Sequence, residues 1–343
     1  MPLELPKKPI PAKPLRIAIL NLMPKKIEAE ADYARLLSAS PLPLEVHLMK
    51  VRSHICKNTP LEHMNAYYRF FDEMRGEHFD GFIMTGAPVE KIDFEQVDYW
   101  SELCDIFTWA RSNANASLFI CWAAQAALYF HYGIPKYPLS EKMFGIFPQE
   151  PLHPELPIFA GFDDIFNMPH SRHTEIRKED ILKANEELKI KNEKLKIEDG
   201  KLTIEDEELK MKNEKLKIEG GKLTIEDEEL KIKNEKLKIE DGGEALTIIA
   251  EGPQSGVSMV MAREGRELFI TGHAEYAPTR LDTEYRRDLG KGLPIKKPYN
   301  YYREDDPELG PLVTWSSHAN LLFQNWLNHY VNQETPHNID EIN

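Results

Sequence analysis

The sequence predicts an α/β fold: a mainly parallel sheet with helices on both faces. Three observations carry this. Near-continuous apolar runs at 15–20, 79–84 and 117–120 have the look of strands buried on both sides. Segments with helical apolar spacing alternate with them, which is the pattern of strand–helix–strand units. Gly- and Pro-bearing loops such as Thr85-Gly86-Ala87-Pro88 separate the two kinds of segment.

The elements follow in order. Residues 15–20 are the first strand, and 28–37 the helix after it. Leu44-Glu45-Val46-His47-Leu48 alternates as a strand does. Phe79-Asp80-Gly81-Phe82-Ile83-Met84 is a further strand. An amphipathic helix is expected over 99–112. The strand at 117–120 runs straight into Cys121. The Ala-rich stretch 123–132 is helical and is stopped by Gly133 and Pro135. Strands near 246–250, 256–262 and 267–270, a helix around 283–289 and a last one over 315–332 complete the set. In such folds, sites gather at the carboxyl ends of the strands.

One segment stands apart. From 181 to 243 the chain becomes Glu/Lys/Leu/Ile repeats, with Asn-Glu-Lys-Leu-Lys-Ile-Glu starting at Asn192, Asn213 and Asn234. Leu recurs every seven residues, which suggests a coiled coil. The following apolar residue, however, is two positions on, where a helix would carry it to the opposite side. On a strand the two share a face, so Leu-x-Ile fits very short strands between turns at Asp199-Gly200, Gly220-Gly221 and Gly242-Gly243. A hairpin stack, a frayed helix and a disordered excursion all remain open. The expected organisation is one α/β domain from 1–180 and 244–343, interrupted by a 181–243 repeat insertion.

Composition excludes several classes. The chain has 343 residues, 41% of them hydrophobic and 29% charged, enough apolar material for a large core. No window approaches the roughly 18 uninterrupted apolar residues of a membrane span. The N-terminus lacks an apolar signal core. A net charge of −14 makes nucleic acid a poor partner. Cys56, Cys104 and Cys121 are too few and too scattered for a disulfide framework or zinc site, so a reducing, cytoplasmic location is expected.

Two places could carry chemistry. Cys121 lies where an apolar strand ends and a helix begins. Such a turn exposes a side chain at the sheet edge beside a helix N-terminus, where the dipole and free N–H groups favour a thiolate and a developing oxyanion. A buried core cysteine is the plainer alternative. His273 and Glu275 close the strand at 267–270. In an extended segment they project to one side, as a base and the carboxylate that fixes its tautomer would. His153, His170 and His173 match no tight metal-ligand spacing, and no metal site is expected.

Taken together, the residues resemble one family: the cysteine-nucleophile homoserine O-acyltransferases of methionine biosynthesis. The matching motifs are LNLMPKKIE from Leu20, FDGFIMTGAP from Phe79, LFICWAAQAAL from Leu118, GFDDIF and PHSR between Gly161 and Arg172, TGHAEY from Thr271, PYNYY from Pro298 and SSHANLLFQNWLNHYV from Ser316. The resemblance implies a flavodoxin-like, class I glutamine amidotransferase-like sheet with a Cys-His-Glu triad. It implies that Cys121 is the acyl-thioester nucleophile, His273 the general base and Glu275 its orienting partner. Lys142 matches a substrate-binding lysine, and Ser171 a position that influences substrate choice. Arg287 matches the arginine that holds the amino acid's carboxylate. Backbone N–H groups of Trp122 and the Gly86 loop would form the oxyanion hole.

Glu90 stands where the family carries either glycine, which goes with succinyl transfer, or glutamate, which goes with acetyl. A glutamate fills the pocket and repels a succinyl carboxylate. The expectation is therefore acetyl-CoA as co-substrate, with no permanently bound cofactor, L-homoserine as acceptor, and a homodimer. Succinyl-CoA as donor, L-serine as acceptor, and glutamine amide hydrolysis are the alternatives. Ala274 departs from the family, which usually has proline there.

Overall fold

The computed structural model describes residues 13–54, 56–198, 201–204, 216–219, 222–225 and 245–332. The strands, in chain order, are β1 (Leu15–Leu20), β2 (Leu44–Lys50), β3 (Tyr68–Phe70), β4 (Phe79–Met84), β5 (Ala114–Ile120), β6 (Tyr137–Pro151) and β7 (Phe166–Glu175). Then come β8 (Leu195–Glu198), β9 (Lys201–Ile204), β10 (Leu216–Glu219), β11 (Lys222–Ile225), β12 (Thr247–Gly252), β13 (Gly256–Ala262) and β14 (Glu267–Ile270). The main sheet has ten strands in the order β3-β2-β1-β4-β5-β14-β13-β12-β6-β7. From β3 to β14 all neighbours are parallel, and from β14 to β7 all are antiparallel. With the short edge strand β3 set aside, the parallel strands run second, first, third, fourth, fifth, which is the flavodoxin-like order.

Both faces of this sheet are covered because neighbouring residues on a strand point to opposite sides. Ile17, Ile19, Ile83, Leu118 and Ile120 join one apolar cluster, with Tyr33 and Leu36 of α1 (Lys26–Leu37). Ala18, Leu20, Phe82, Met84 and Phe119 join the other. The remaining helices are α2 (Leu61–Tyr67), α3 (Phe71–Met74), α4 (Trp100–Asn113), α5 (Trp122–Tyr132), α6 (Lys178–Lys194), α7 (Arg280–Gly290) and α8 (Ser316–Trp326). Leu103, Ile106 and Phe107 of α4 and Leu128 of α5 pack on the second face, and Leu322, Phe323 and Trp326 of α8 on the first. As expected from Gly133, α5 ends in a left-handed glycine, φ 70°.

The long hairpin β6–β7 was not expected from the sequence. Pro138, Pro148, Pro151 and Pro169 interrupt these strands, and proline inside a run argues against a strand. Here the two pair over most of their length, with a break in register between Pro138 and Met143.

The repeats do form short strands. Leu195 pairs with Ile204 and Ile197 with Leu202 in an antiparallel hairpin, and Leu216–Glu219 repeats this with Lys222–Ile225. The turn residues Asp199-Gly200, Gly220-Gly221 and Gly242-Gly243 lie outside the described residues. Helix α6 begins before the repeat and buries Ile181 and Ala184 in the second apolar cluster. The start of the repeat is therefore part of the α/β core. Among the described residues, no helix is long and apolar enough to cross a membrane.

Candidate active site

Strand β5 ends at Ile120 and α5 starts at Trp122, so Cys121 alone makes the corner. Its φ of 54° and ψ of −116° lie where L-residues rarely sit. Such a conformation costs about 1–3 kcal/mol and persists only where the surroundings enforce it. They do so here. The Cys121 N–H donates to the Ile270 carbonyl at 2.6 Å, and its own carbonyl accepts from the N–H groups of Ala124 and Gln125. The side chain is buried.

The partner comes from the next strand. β14 pairs with β5 in register, Ile270 opposite Ile120, so His273 emerges beside Cys121. The two residues crowd one point: a side-chain carbon placed on Gly86 would lie 3.3 Å from Cys121 Cβ and 3.4 Å from His273 Cε1. His273 Nδ1 lies 2.7 Å from Glu275 Oε1. The segment is not extended, as the sequence suggested, but a turn closed by the Tyr276 N–H on the His273 carbonyl. That turn brings the carboxylate round to the imidazole. The Tyr276 ring stacks on His273 at 4.1 Å, and Arg35 holds the Glu275 carbonyl at 2.7 Å. Burial opposes a charge on His273, yet the field and hydrogen bonds of Cys121 and Glu275 outweigh it. They hold the imidazole well above its ordinary range. Cys121 and His273 are therefore hydrogen-bonded neighbours at the elbow.

Two backbone N–H groups lie next to the elbow in sequence or in space, those of Trp122 and Gly86. The Trp122 N–H opens α5, where a helix has no acceptor of its own to offer. Gly86 is the second residue of the loop after β4, and among the described residues its N–H donates to no backbone acceptor. A side-chain carbon at Gly86 would press on Cys121 more tightly than an ordinary contact, so a neighbour would have to give by tenths of an ångström.

A polar pocket adjoins the triad, and its centre is a residue the sequence did not single out. Glu284 on α7, its side chain 12% exposed, is held by three donors. Ser171 Oγ donates at 2.6 Å, Tyr276 Oη at 2.9 Å, and Lys142 Nζ lies 3.1 Å away. Burial alone would favour its neutral form. Lys142, Ser171, His273 and Tyr276 together reverse this and hold the carboxyl below the usual range. Lys142 and Ser171 come from neighbouring positions of the β6–β7 hairpin, so the proline-rich strands form the wall of this pocket.

Glu90 lies on the loop after β4, and its Oε2 accepts the His173 N–H at 2.7 Å. Burial raises its pKa, against the opposing effects of that N–H and of His273, Lys142 and Arg172. Arg287 is the site residue least drawn in. It stands one turn beyond Glu284 on α7, on the same side, but its guanidinium is 47% exposed and grips Asp288 at 2.6 and 2.9 Å. The structure thus groups Cys121, His273, Glu275, Gly86 and Trp122 with Glu90, Lys142 and Ser171 close by, while Arg287 stays exposed on α7.

A family model described as homoserine O-succinyltransferase matches residues 9–210 and 230–337. A homoserine O-acetyltransferase of Bacteroides thetaiotaomicron is 51% identical over 330 residues, covering 96% of this chain and 89% of that one. Proteins of the same name from Acetivibrio thermocellus, 44% identical over 330 residues, and Brevibacillus brevis, 43% over 328, cover 96% of this chain and 89% and 88% of their own. Among solved structures, a glutamine amidotransferase of Thermotoga maritima matches at 10% identity with a TM-score of 0.48, covering 93% of this chain and 99% of that one. By its sequence, this chain belongs to the homoserine O-succinyltransferase family.

Proposed function

We propose that the chain transfers an acetyl group from acetyl-CoA to the hydroxyl of L-homoserine, giving O-acetyl-L-homoserine for methionine biosynthesis. The observation that carries this reading is the elbow Cys121 paired with a His273 that Glu275 orients at 2.7 Å. The relatives named homoserine O-acetyltransferase support the donor, and so does the half-buried Glu90 carboxylate, which would fill the pocket and repel a succinyl carboxylate.

The Cys121 thiolate attacks the thioester carbonyl carbon. The N–H groups of Trp122 and Gly86 receive the oxyanion. The carbon–sulfur bond to CoA breaks, the CoA thiol leaves with the proton of His273, and acetyl remains on Cys121. Homoserine then enters. Glu284 receives its ammonium, displacing Lys142 or sharing with it, and Arg287 exchanges Asp288 for the substrate carboxylate. His273 takes the hydroxyl proton, the oxygen attacks the acetyl carbon, and the product leaves Cys121 as thiolate. In this account residues 1–180 and 244–343, with the core-packed start of α6, act as one catalytic domain, and the rest of 181–243 is its insertion.

The test is initial-rate kinetics over acetyl-CoA and succinyl-CoA as donors against L-homoserine and L-serine as acceptors. Acetyl-CoA with homoserine is expected to give the highest kcat/KM. A preference for succinyl-CoA or for serine would overturn that part of the reading, and ammonia release from glutamine without acyl transfer would overturn it whole.

A further inference from the structure

Glu275 is buried, and its carboxylate has one side-chain contact. Its Oε1 meets His273 Nδ1, and among the described residues its Oε2 takes no hydrogen bond. No second donor steadies the side chain, so its place is set by the main chain that carries it. That main chain is gripped from α1. Asp32 and Arg35 stand three residues apart there and share a helix face. Arg35 Nη2 donates to the Glu275 carbonyl at 2.7 Å, and Asp32 Oδ1 accepts the Ala277 N–H at 3.2 Å. The two contacts bracket Tyr276, whose ring stacks on His273 and whose carbonyl accepts from Trp315 Nε1 at 3.0 Å. Asp32 also holds Arg280 with its other oxygen. The Arg35 guanidinium is different. Among the described residues it makes one hydrogen bond, the one to Glu275, and its buried Nε has no acceptor.

We propose that Arg35 is a positioning residue of the reaction: by holding the Glu275 carbonyl it sets the place where the carboxylate meets the imidazole. This rests on the reading of Cys121, His273 and Glu275 as the catalytic triad. The carbonyl and the carboxylate belong to one residue in one turn, so a carbonyl that drifts takes Oε1 with it. A bond of 2.7 Å has little slack, and a hydrogen bond weakens as it lengthens and bends. With it goes the hold on the tautomer and orientation of His273. An arginine suits the task, because its long stem spans the gap from helix to turn and its charge strengthens the bond to a neutral carbonyl. Arg35 thus acts through Glu275.

The test is a double-mutant cycle on kcat with acetyl-CoA and L-homoserine. It compares the full-length wild type, Arg35→Met, Glu275→Ala and the double variant, with melting temperature as the fold control. Arg35→Met is expected to lower kcat about tenfold and to leave both KM values within about twofold of the wild type. In the Glu275→Ala background the same change is expected to cost less than about twofold, since no carboxylate is left to place. An equal cost in both backgrounds overturns the proposal, because a general loosening of the fold acts in both. A folded Arg35→Met enzyme with wild-type kcat overturns it as well. If Arg35→Met does not fold, Arg35→Gln takes its place in the cycle under the same two criteria. If neither variant folds, Arg35 serves the fold and the proposal falls. A Glu275→Ala enzyme with wild-type kcat would instead refute the triad itself.

Discussion

The Ser171 hydroxyl donates to Glu284 Oε2 at 2.6 Å, and the same oxygen faces Lys142 at 3.1 Å. A position expected to influence substrate choice thus contacts a largely buried carboxylate. Losing a charge-assisted contact costs about 1.5–3 kcal/mol. Glu284→Gln should therefore lower kcat/KM for homoserine roughly ten- to a hundredfold, mainly through KM, while acetylation of the enzyme by the donor proceeds. Steady-state kinetics check this, and an unchanged acceptor KM would remove Glu284 from the binding site.

Glu90 makes a prediction about the donor. In the proposed reading, Glu90→Gly opens the acyl pocket and removes a half-buried carboxylate that would repel a succinyl group. Use of succinyl-CoA should rise relative to acetyl-CoA by tenfold or more, the effect of relieving one like-charge contact of about 1.4 kcal/mol. Competition between the two donors measures the ratio directly, and no change in it would refute the pocket account.

Gly86→Ala tests the closeness of the catalytic groups. The added carbon meets Cys121 Cβ at 3.3 Å and His273 Cε1 at 3.4 Å, so one of them must yield by tenths of an ångström. Displacements on that scale in a positioned pair lower kcat strongly. The expected outcome is a fall of at least tenfold in kcat with a melting temperature within a few degrees of the wild type. An active Gly86→Ala enzyme would mean that the backbone is not packed against the reacting groups.

Ala274 predicts a gain. It is the second residue of the turn closed by Tyr276 N–H on the His273 carbonyl, a position that favours proline, and its side chain lines a small cavity with Met168, Trp315 and Leu322. Ala274→Pro should stabilise the fold by about 0.4–1 kcal/mol, seen as a melting temperature raised by about 1–3 °C. A lower melting temperature would mean that the turn cannot accept the ring.

The parallel half of the sheet was legible because its strands are buried on both faces: Ile17 to Leu20, Phe82 to Met84 and Leu118 to Ile120 are unbroken apolar runs. Cys121 was legible for the same reason, since the run stops at it. The β6–β7 hairpin was hidden by its prolines, and with it the wall that carries Lys142 and Ser171. Glu284 was hidden more deeply. It stands in Asp-Thr-Glu-Tyr-Arg-Arg-Asp, a charge run that looks solvated, and only Ser171 and Lys142 of the hairpin, with Tyr276, draw it largely out of solvent. Arg35 gave no local signal either, because a bond to a carbonyl 240 residues further along the chain shows only in the fold.

The most direct measurement is the mass of the intact protein after incubation with acetyl-CoA and no acceptor, followed by peptide mapping. One acetyl group on the Cys121 peptide, discharged when homoserine is added, is the predicted result. An unmodified Cys121 under conditions where product still forms would contradict the covalent route.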